Sequence, residues 1–385
     1  MFSATCIAPV NIAVIKYWGK RNESLILPIN DSISGTLSTN ELCAKTTIVA
    51  DPNFDEDRMW LNGEEVSTKT DRIIRCIEAL KHLAEQKSSI KNIWKYKLRI
   101  CSENNFPTAA GLASSAAGYA CFVYTLATLY GVENEELTAI ARQGSGSACR
   151  SIYGGFVQWR KGEQNDGNDS IAVQIVPANH WPQMRVLIFV VSDETKKVSS
   201  KVGMKLAVET APLIKSRANE CVPNRINQMT QAILNRDFSK FGELTMRDSN
   251  QFHAICLDTW PPCFYLNDIS KSVIEAVHRY NEQAHEIKVA YTFDAGPNAC
   301  IYLLDNEVDK FVSYMNDLFP NDELKAEEYT RGLPIKFDHK GNQEAVIKRN
   351  AFKYIIHTKV GEGPCKLDST ETLVNENSFP KKIKT

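Results

Sequence analysis

No run in this 385-residue chain is long and apolar enough to cross a membrane. The longest strongly apolar stretch, Val186 to Val191, falls far short of the roughly 20 residues a span requires. Charge of either sign is not in excess. A formal net charge of -1 with 24% charged residues gives no reason to expect nucleic acid or an anionic membrane as partner. The 11 cysteines form no C-x-x-C pair, and the seven histidines no H-E-x-x-H motif or cluster at zinc spacing. Reduced thiols packed as small core residues are the expectation. The first residues, Met-Phe-Ser-Ala-Thr-Cys, lack the basic and apolar regions of a secretory signal. The final Lys-Ile-Lys-Thr is neither a peroxisomal nor an ER-retention tail. A cytoplasmic protein is therefore expected. Repeats and low-complexity tracts are also missing, and 43% hydrophobic residues suffice for one large or two ordinary domains.

What is present is an alternation of strand and helix signals without a regular βαβ rhythm, which predicts an α+β fold. Residues 5–18 read as a strand ending near Lys16, and 33–50 as strands of an antiparallel sheet. Asn62-Gly63 marks a hairpin. Ile73, Ile74, Ile77, Leu80 and Leu83 recur at helical spacing over 68–87. Further helices are predicted at 119–130, 133–143, 226–234, 238–248, 271–284 and 307–318, and strands at 96–100, 151–159, 185–191 and 289–293. The last dozen residues are expected to fray. A boundary near 185–195 divides the chain into domains 1–190 and 191–385.

Four segments carry candidate chemistry. Residues 107–118, Pro-Thr-Ala-Ala-Gly-Leu-Ala-Ser-Ser-Ala-Ala-Gly, are small and lead into the helix. Such a loop lets backbone N–H groups approach a phosphate at a helix N-terminus. It is neither a Walker A loop nor a G-x-G-x-x-G turn. The segment Lys16-Tyr17-Trp18-Gly19-Lys20-Arg21 is either a solvated basic patch or a diphosphate grip. Ser145, Ser147 and Arg150 form either a tight turn with an exposed Arg or an anion site, since Arg takes a carboxylate or phosphate bidentately. Asp294, in Phe293-Asp294-Ala295-Gly296-Pro297-Asn298, is a turn former or a carboxylate presented to a cleft. Lys196, Lys197 and Ser200 lie in a loop that is either solvated or nucleotide-facing. A Mg²⁺ held by phosphates and water needs no dedicated carboxylate cage.

Together these segments resemble the GHMP kinases and, more specifically, the mevalonate diphosphate decarboxylases among them. The resemblance rests on Pro9-Val10-Asn11-Ile12, on 16–21, on 107–118, on Gly144 to Ser151 with Tyr153-Gly154-Gly155, and on 293–298. It implies a ribosomal-protein-S5-like N-terminal half, a ferredoxin-like C-terminal half and a cleft between them. It implies ATP and Mg²⁺, mevalonate 5-diphosphate as substrate, isopentenyl diphosphate as product and a homodimer. Asp294 would act as base or orienting group, with Lys16 beside it. Arg150 would bind the substrate carboxylate, with Asn11 nearby. Tyr17, Lys20, Ser145 and Ser147 would hold the 5-diphosphate. Pro107, Ala109, Ala110, Gly111, Leu112, Ala113, Ser114 and Ser115 would cradle ATP, with Ser114 or Ser115 near Mg²⁺. Lys196, Lys197 and Ser200 would belong to a closing loop. The chain departs from the family pattern at Asn22, Asp31 and Gly35. The rivals are a kinase that stops at the 3-phosphate and a catalytically silent binding protein of the same scaffold.

Overall fold

Pro9 can donate no hydrogen bond to a continuing ladder, and the chain changes sheets just after it. Residues 2–15 are therefore two strands, not the single one expected. Phe2–Pro9 pairs antiparallel with Cys43–Asp51, whereas Asn11–Ile15 pairs with Ser32–Thr36. The computed structural model describes residues 1–88, 90, 92–106, 114–132, 136–191, 197–338 and 346–382.

The first sheet runs in the order Cys365–Lys366, Phe2–Pro9, Cys43–Asp51, Lys97–Asn104, Arg58–Leu61, Glu64–Val66. The expected hairpin is there. Asn62 and Gly63 both take positive φ, 51° and 84°, as a tight turn of this hand requires. The second sheet is Ala172–Val176, Phe156–Trp159, Ser32–Thr36, Asn11–Ile15. Helix Ser114–Tyr130 packs on the first sheet, and the buried Ala116, Ala117, Ala120 and Cys121 let it lie close. It starts at Ser114, earlier than the predicted Tyr119, so both serines belong to its first turn. Gly146–Ile152 is a 3-10 helix, which shortens the strand predicted at 151–159 to Phe156–Trp159.

The third sheet is Val289–Phe293, Ala299–Leu304, Met184–Val190, Tyr354–Lys359, Thr330–Gly332. Its middle strand is almost wholly buried, which accounts for the unbroken apolar run. Helices Ser200–Thr210, Val222–Asn235, Phe238–Asp258, Asp268–Gln283 and Val308–Leu318 complete this half. Met184–Val190 belongs to this sheet although it precedes residue 191, and Cys365–Lys366 returns to the first sheet. The described part of the C-terminal tail does not fray. Phe379 packs on Trp60 at 5.7 Å, and the Arg99 guanidinium lies 4.3 Å over the Phe379 ring.

Candidate active site

Strand Asn11–Ile15 delivers Lys16 to the junction of the second and third sheets. Tyr302 OH donates to Ile12 O at 2.9 Å and Thr292 Oγ1 to Ala13 O at 3.3 Å. The departure at Gly35 belongs to this contact, because a Cβ there would lie 2.9 Å from the Tyr302 hydroxyl. Strand Val289–Phe293 ends at the same junction and presents Asp294. Lys16 Nζ donates to Asp294 Oδ1 at 2.6 Å. The Lys16 side chain is 4% exposed and that of Asp294 32%, so the ammonium lies beneath and the carboxylate faces outward.

The Lys16 main chain is clamped on both sides. Its N–H donates to Asp248 Oδ2 at 2.7 Å, and its carbonyl accepts from Arg217 Nη2 and Asn30 Nδ2, each at 3.0 Å. Asp248 and Arg217 are fully buried and paired at 2.8 Å. Burial alone would raise the Asp248 carboxyl, but Arg217 overrides it and holds the group below the ordinary carboxylate range. Nearby, burial and then the Lys16 charge pull His253 down to about 3, so its imidazole is neutral.

Arg150 stands on the short 3-10 helix, buried, with its Nη1 donating to Ser32 Oγ at 2.7 Å and its Nε to Ser34 Oγ at 3.0 Å and Asn11 Oδ1 at 3.3 Å. Asn11 is itself fixed by donating to Ser151 Oγ at 2.8 Å and Ser147 O at 3.0 Å. Two edges of the guanidinium are thus spent on neutral oxygens, which fix its plane. Burial lowers its pKa.

Lys20 Nζ reaches Glu23 Oε2 at 2.6 Å. Tyr17 packs on Trp159 at 4.6 Å, and its buried hydroxyl has no hydrogen-bond partner among the described residues. Burial pushes the Tyr17 phenol up, so it remains a neutral donor. Gly146 makes room for this ring, since a Cβ would meet Tyr17 Cε1 at 3.0 Å. Ser115 Oγ and Ser145 Oγ are 3.3 Å apart and join the start of the apolar helix to the second serine loop.

One cleft collects most of the predicted residues. Asn11, Lys16, Tyr17, Lys20, Ser114, Ser115, Ser145, Ser147, Arg150, Ser200 and Asp294 all line it. Lys197 is exposed and does not. Pro107, Ala109, Ala110, Gly111, Leu112, Ala113 and Lys196 lie outside the described residues. Among the described residues, five cations, Lys16, Lys20, Arg72, Arg150 and Lys201, face the cleft, and Asp294 is the carboxylate that lines it with them. Arg72 and Lys201 were missed by sequence reasoning. Arg72 opens an ordinary amphipathic helix and carries no local signal, whereas Lys201 directly follows Ser200 and was within reach. Ser32 and Ser34, the cradle of Arg150, were also missed, because their partner lies more than a hundred residues away.

Models of two protein families match the chain. The diphosphomevalonate decarboxylase-like N-terminal domain covers residues 8–172, and the mevalonate 5-diphosphate decarboxylase C-terminal domain covers 186–367. The chain belongs to the diphosphomevalonate decarboxylase family. The diphosphomevalonate decarboxylase of Danio rerio is 52% identical to it, over 98% of this chain and 96% of its own. The structure of mevalonate diphosphate decarboxylase from Trypanosoma brucei matches with a TM-score of 0.87 at 37% identity, covering 97% of this chain and 100% of that one. A solved complex of MDDEF with MVAPP, AMPPCP and magnesium matches with a TM-score of 0.74 at 29% identity, covering 96% of this chain and 99% of that one. The α+β fold of the GHMP type expected from the resemblance is the one observed.

The cleft suits a polyanion and a phosphate-borne cation. Among the described residues no group of three or more His, Cys, Asp or Glu side chains could hold a metal. The oxygen donors lining it are mostly neutral, hydroxyls such as those of Ser114 and Ser115, beside the Asp294 carboxylate, which fits Mg²⁺ carried mainly by phosphates and water.

Proposed function

We propose that this cleft carries out the reaction of its family, with its polar residues in distinct roles. Mevalonate 5-diphosphate and ATP react to give isopentenyl diphosphate, ADP, phosphate and CO₂. The tertiary 3-hydroxyl is phosphorylated first. The new phosphate then leaves as the neighbouring carboxylate departs as CO₂.

The observation that carries this reading is the Lys16–Asp294 contact at 2.6 Å with Arg150 lining the same cleft. Asp294 takes the 3-hydroxyl proton or orients that hydroxyl, and Lys16 holds the carboxylate and the substrate in place. Arg150 binds the substrate carboxylate and aligns the C–C bond that breaks, with Asn11 holding Arg150. Tyr17, Lys20, Ser145 and Ser147 hold the 5-diphosphate, and the unpartnered Tyr17 hydroxyl supports that role. Residues 107–115 take the ATP phosphates, with Ser114 or Ser115 at the edge of Mg²⁺, which supplies charge neutralisation when bound. Lys196, Lys197 and Ser200 close over the nucleotide. Two polyanions repel one another at contact distance, so a cation-lined cleft is what lets them meet. Phosphoryl transfer is mainly positioning and charge stabilisation, and the departing phosphate needs the same cations.

The division into 1–190 and 191–385 belongs to this proposal, with the cleft formed by both halves. A homodimer also belongs to it, supported by the exposed apolar side chains Val208, Leu213, Leu257, Trp260 and Phe264 on the C-terminal half. Sedimentation velocity tests that part. Cytoplasmic residence is supported by the 11 free cysteines and by the finding that no helix among the described residues is long and apolar enough to cross a membrane.

The deciding experiment incubates the protein with Mg-ATP and mevalonate 5-diphosphate labelled at C1. Equal yields of CO₂ and ADP support the assignment. ADP without CO₂ makes the chain a 3-kinase and removes the Arg150 role. Neither product overturns the whole reading.

A further inference from the structure

The helix Phe238–Asp258 touches both halves of the Lys16–Asp294 pair through consecutive residues. Asp248 Oδ2 takes the Lys16 N–H at 2.7 Å. Ser249 Oγ takes the N–H of Phe293, the residue just before Asp294, at 3.1 Å. Ser249 is 1% exposed. One residue later, Asn250 Oδ1 accepts from Tyr291 OH at 2.9 Å on the same strand. We propose that this helix is a positioning element for the reaction, and that Asp248 and Ser249 set the separation of Lys16 and Asp294.

Neighbouring positions on an α-helix are held at a fixed rise and rotation by the backbone ladder. Two strand ends gripped by residues 248 and 249 therefore share one rigid gauge. Lys16 and Asp294 follow strands of different sheets, which apart from this helix are tied at the junction by Thr292 Oγ1 to Ala13 O and Tyr302 OH to Ile12 O, further back from the reacting pair. The buried ion pair fits the same purpose. Asp248 and Arg217 close on the N–H and C=O of one residue, Lys16, at 2.7 and 3.0 Å. Arg225 Nη1 adds a third cationic contact to Asp248 at 3.0 Å, and Gln251 Oε1 accepts from both arginines. A buried ion pair contributes little net stability compared with apolar packing of the same volume. Its position here, locked on the Lys16 backbone, gives it a role that apolar packing cannot fill.

The inference rests on the functional reading for its kinetic consequence only; its geometric content stands apart. Ser249→Thr and Ser249→Val share one shape and differ in the hydroxyl. The valine variant should lose about tenfold or more in kcat, with both KM values within about twofold, as a misplaced reacting pair does. The threonine variant should recover most of the rate. Ser249→Ala serves the same comparison if valine does not fold at this buried site. In a crystal structure of the Val or Ala variant, Lys16 Nζ and Asp294 Oδ1 should have moved beyond hydrogen-bond distance. Equal rates for Thr and Val, or a loss carried in KM, overturn the proposal. So does an unchanged Lys16–Asp294 distance. Wild-type protein that releases no CO₂ overturns the functional reading instead, and the distance measurement still decides the positioning role.

Discussion

Replacing His253 by phenylalanine is expected to flatten the acid side of the stability profile. His253 is 7% exposed and lies 4.6 Å from the ring of Phe252 and 6.3 Å from that of Phe293. Phenylalanine fills this aromatic site without a titratable group. In the folded protein the histidine titrates at about 3 instead of 6.5, first because it is buried and then because Lys16 is close. As pH falls, the unfolded chain therefore binds a proton that the native state refuses. The stabilising contribution is complete above about 6.5 and is lost progressively as pH falls toward 3. At about pH 5 the loss is roughly 1.5 pH units, or about 2 kcal/mol. A chain of this length unfolds with an entropy of roughly 0.8 kcal/mol/K, so about 2 kcal/mol corresponds to about 2–3 °C in Tm. Melting curves of wild type and His253→Phe at about pH 7.5 and about pH 5 test this. The drop on acidification should be smaller by about 2–3 °C in the variant. Comparison within each protein cancels any general cost of the substitution, and the other histidines and the carboxylates are common to both. Equal drops would refute the buried neutral imidazole.

Asp294→Asn should leave both ligands bound and lower kcat by several orders of magnitude, measured by labelled CO₂ release; near-normal turnover would remove Asp294 from the chemistry. Arg150→Lys keeps a cation but forfeits the bonds to Ser32 at 2.7 Å and Ser34 at 3.0 Å. It should raise KM for mevalonate 5-diphosphate by roughly tenfold or more and slow turnover, with KM for ATP unchanged; a change confined to ATP contradicts the carboxylate role. Arg217→Met leaves the buried Asp248 charge to the partly exposed Arg225 and should cost up to about 3–5 kcal/mol in a denaturant titration. Combining it with Asp248→Leu should cost less than the sum of the two single changes, because the pair is one unit.

Local sequence signals suffice where a single element generates them. The helix at Asp71–Lys87, the Asn62-Gly63 hairpin and strand Val289–Phe293 follow from periodicity and turn chemistry alone. Even the departure at Asn22 is local. Its Oδ1 accepts from Ser24 Oγ at 2.8 Å and Leu25 N at 2.9 Å, so the amide caps the turn as a carboxylate does. Misses cluster where tertiary structure decides. The Pro9–Val10 crossing divides a run that looks continuous, because nothing local announces a change of sheet. Tyr354–Lys359 went unread amid polar sequence although it sits beside the central strand of its sheet. The tail looked loose by composition, yet Val374 and Phe379 find Trp60 and Arg99. At the site, residue types carried the chemistry but not its support. Ser32, Ser34, Asp248 and Arg217 act on Arg150 and Lys16 from distant parts of the chain, and no spacing rule links them.

The cleft's cations differ in how firmly they are held, and the difference follows their proposed roles. Arg150 is fixed by neutral oxygens, so none of its charge is neutralised and its plane is set before any ligand arrives. Lys16 is fixed through its backbone and spends its ammonium on Asp294, the one acid lining the cleft among the described residues. In the proposed mechanism these two stand where bonds break, and there a fixed geometry is worth most. Lys20 instead pairs with Glu23, whose side chain is 49% exposed. The Lys20 side chain itself is buried at 2% exposure, so only its acid partner is open to water, and in the proposed role a diphosphate takes the place of that carboxylate. In the proposed roles, rigid charge stands at the reacting carbon and exchangeable charge at the diphosphate, and the carboxylates of Asp294 and Glu23 relieve part of the repulsion among the cations. The same arrangement would let it grip a polyanionic substrate and release its product.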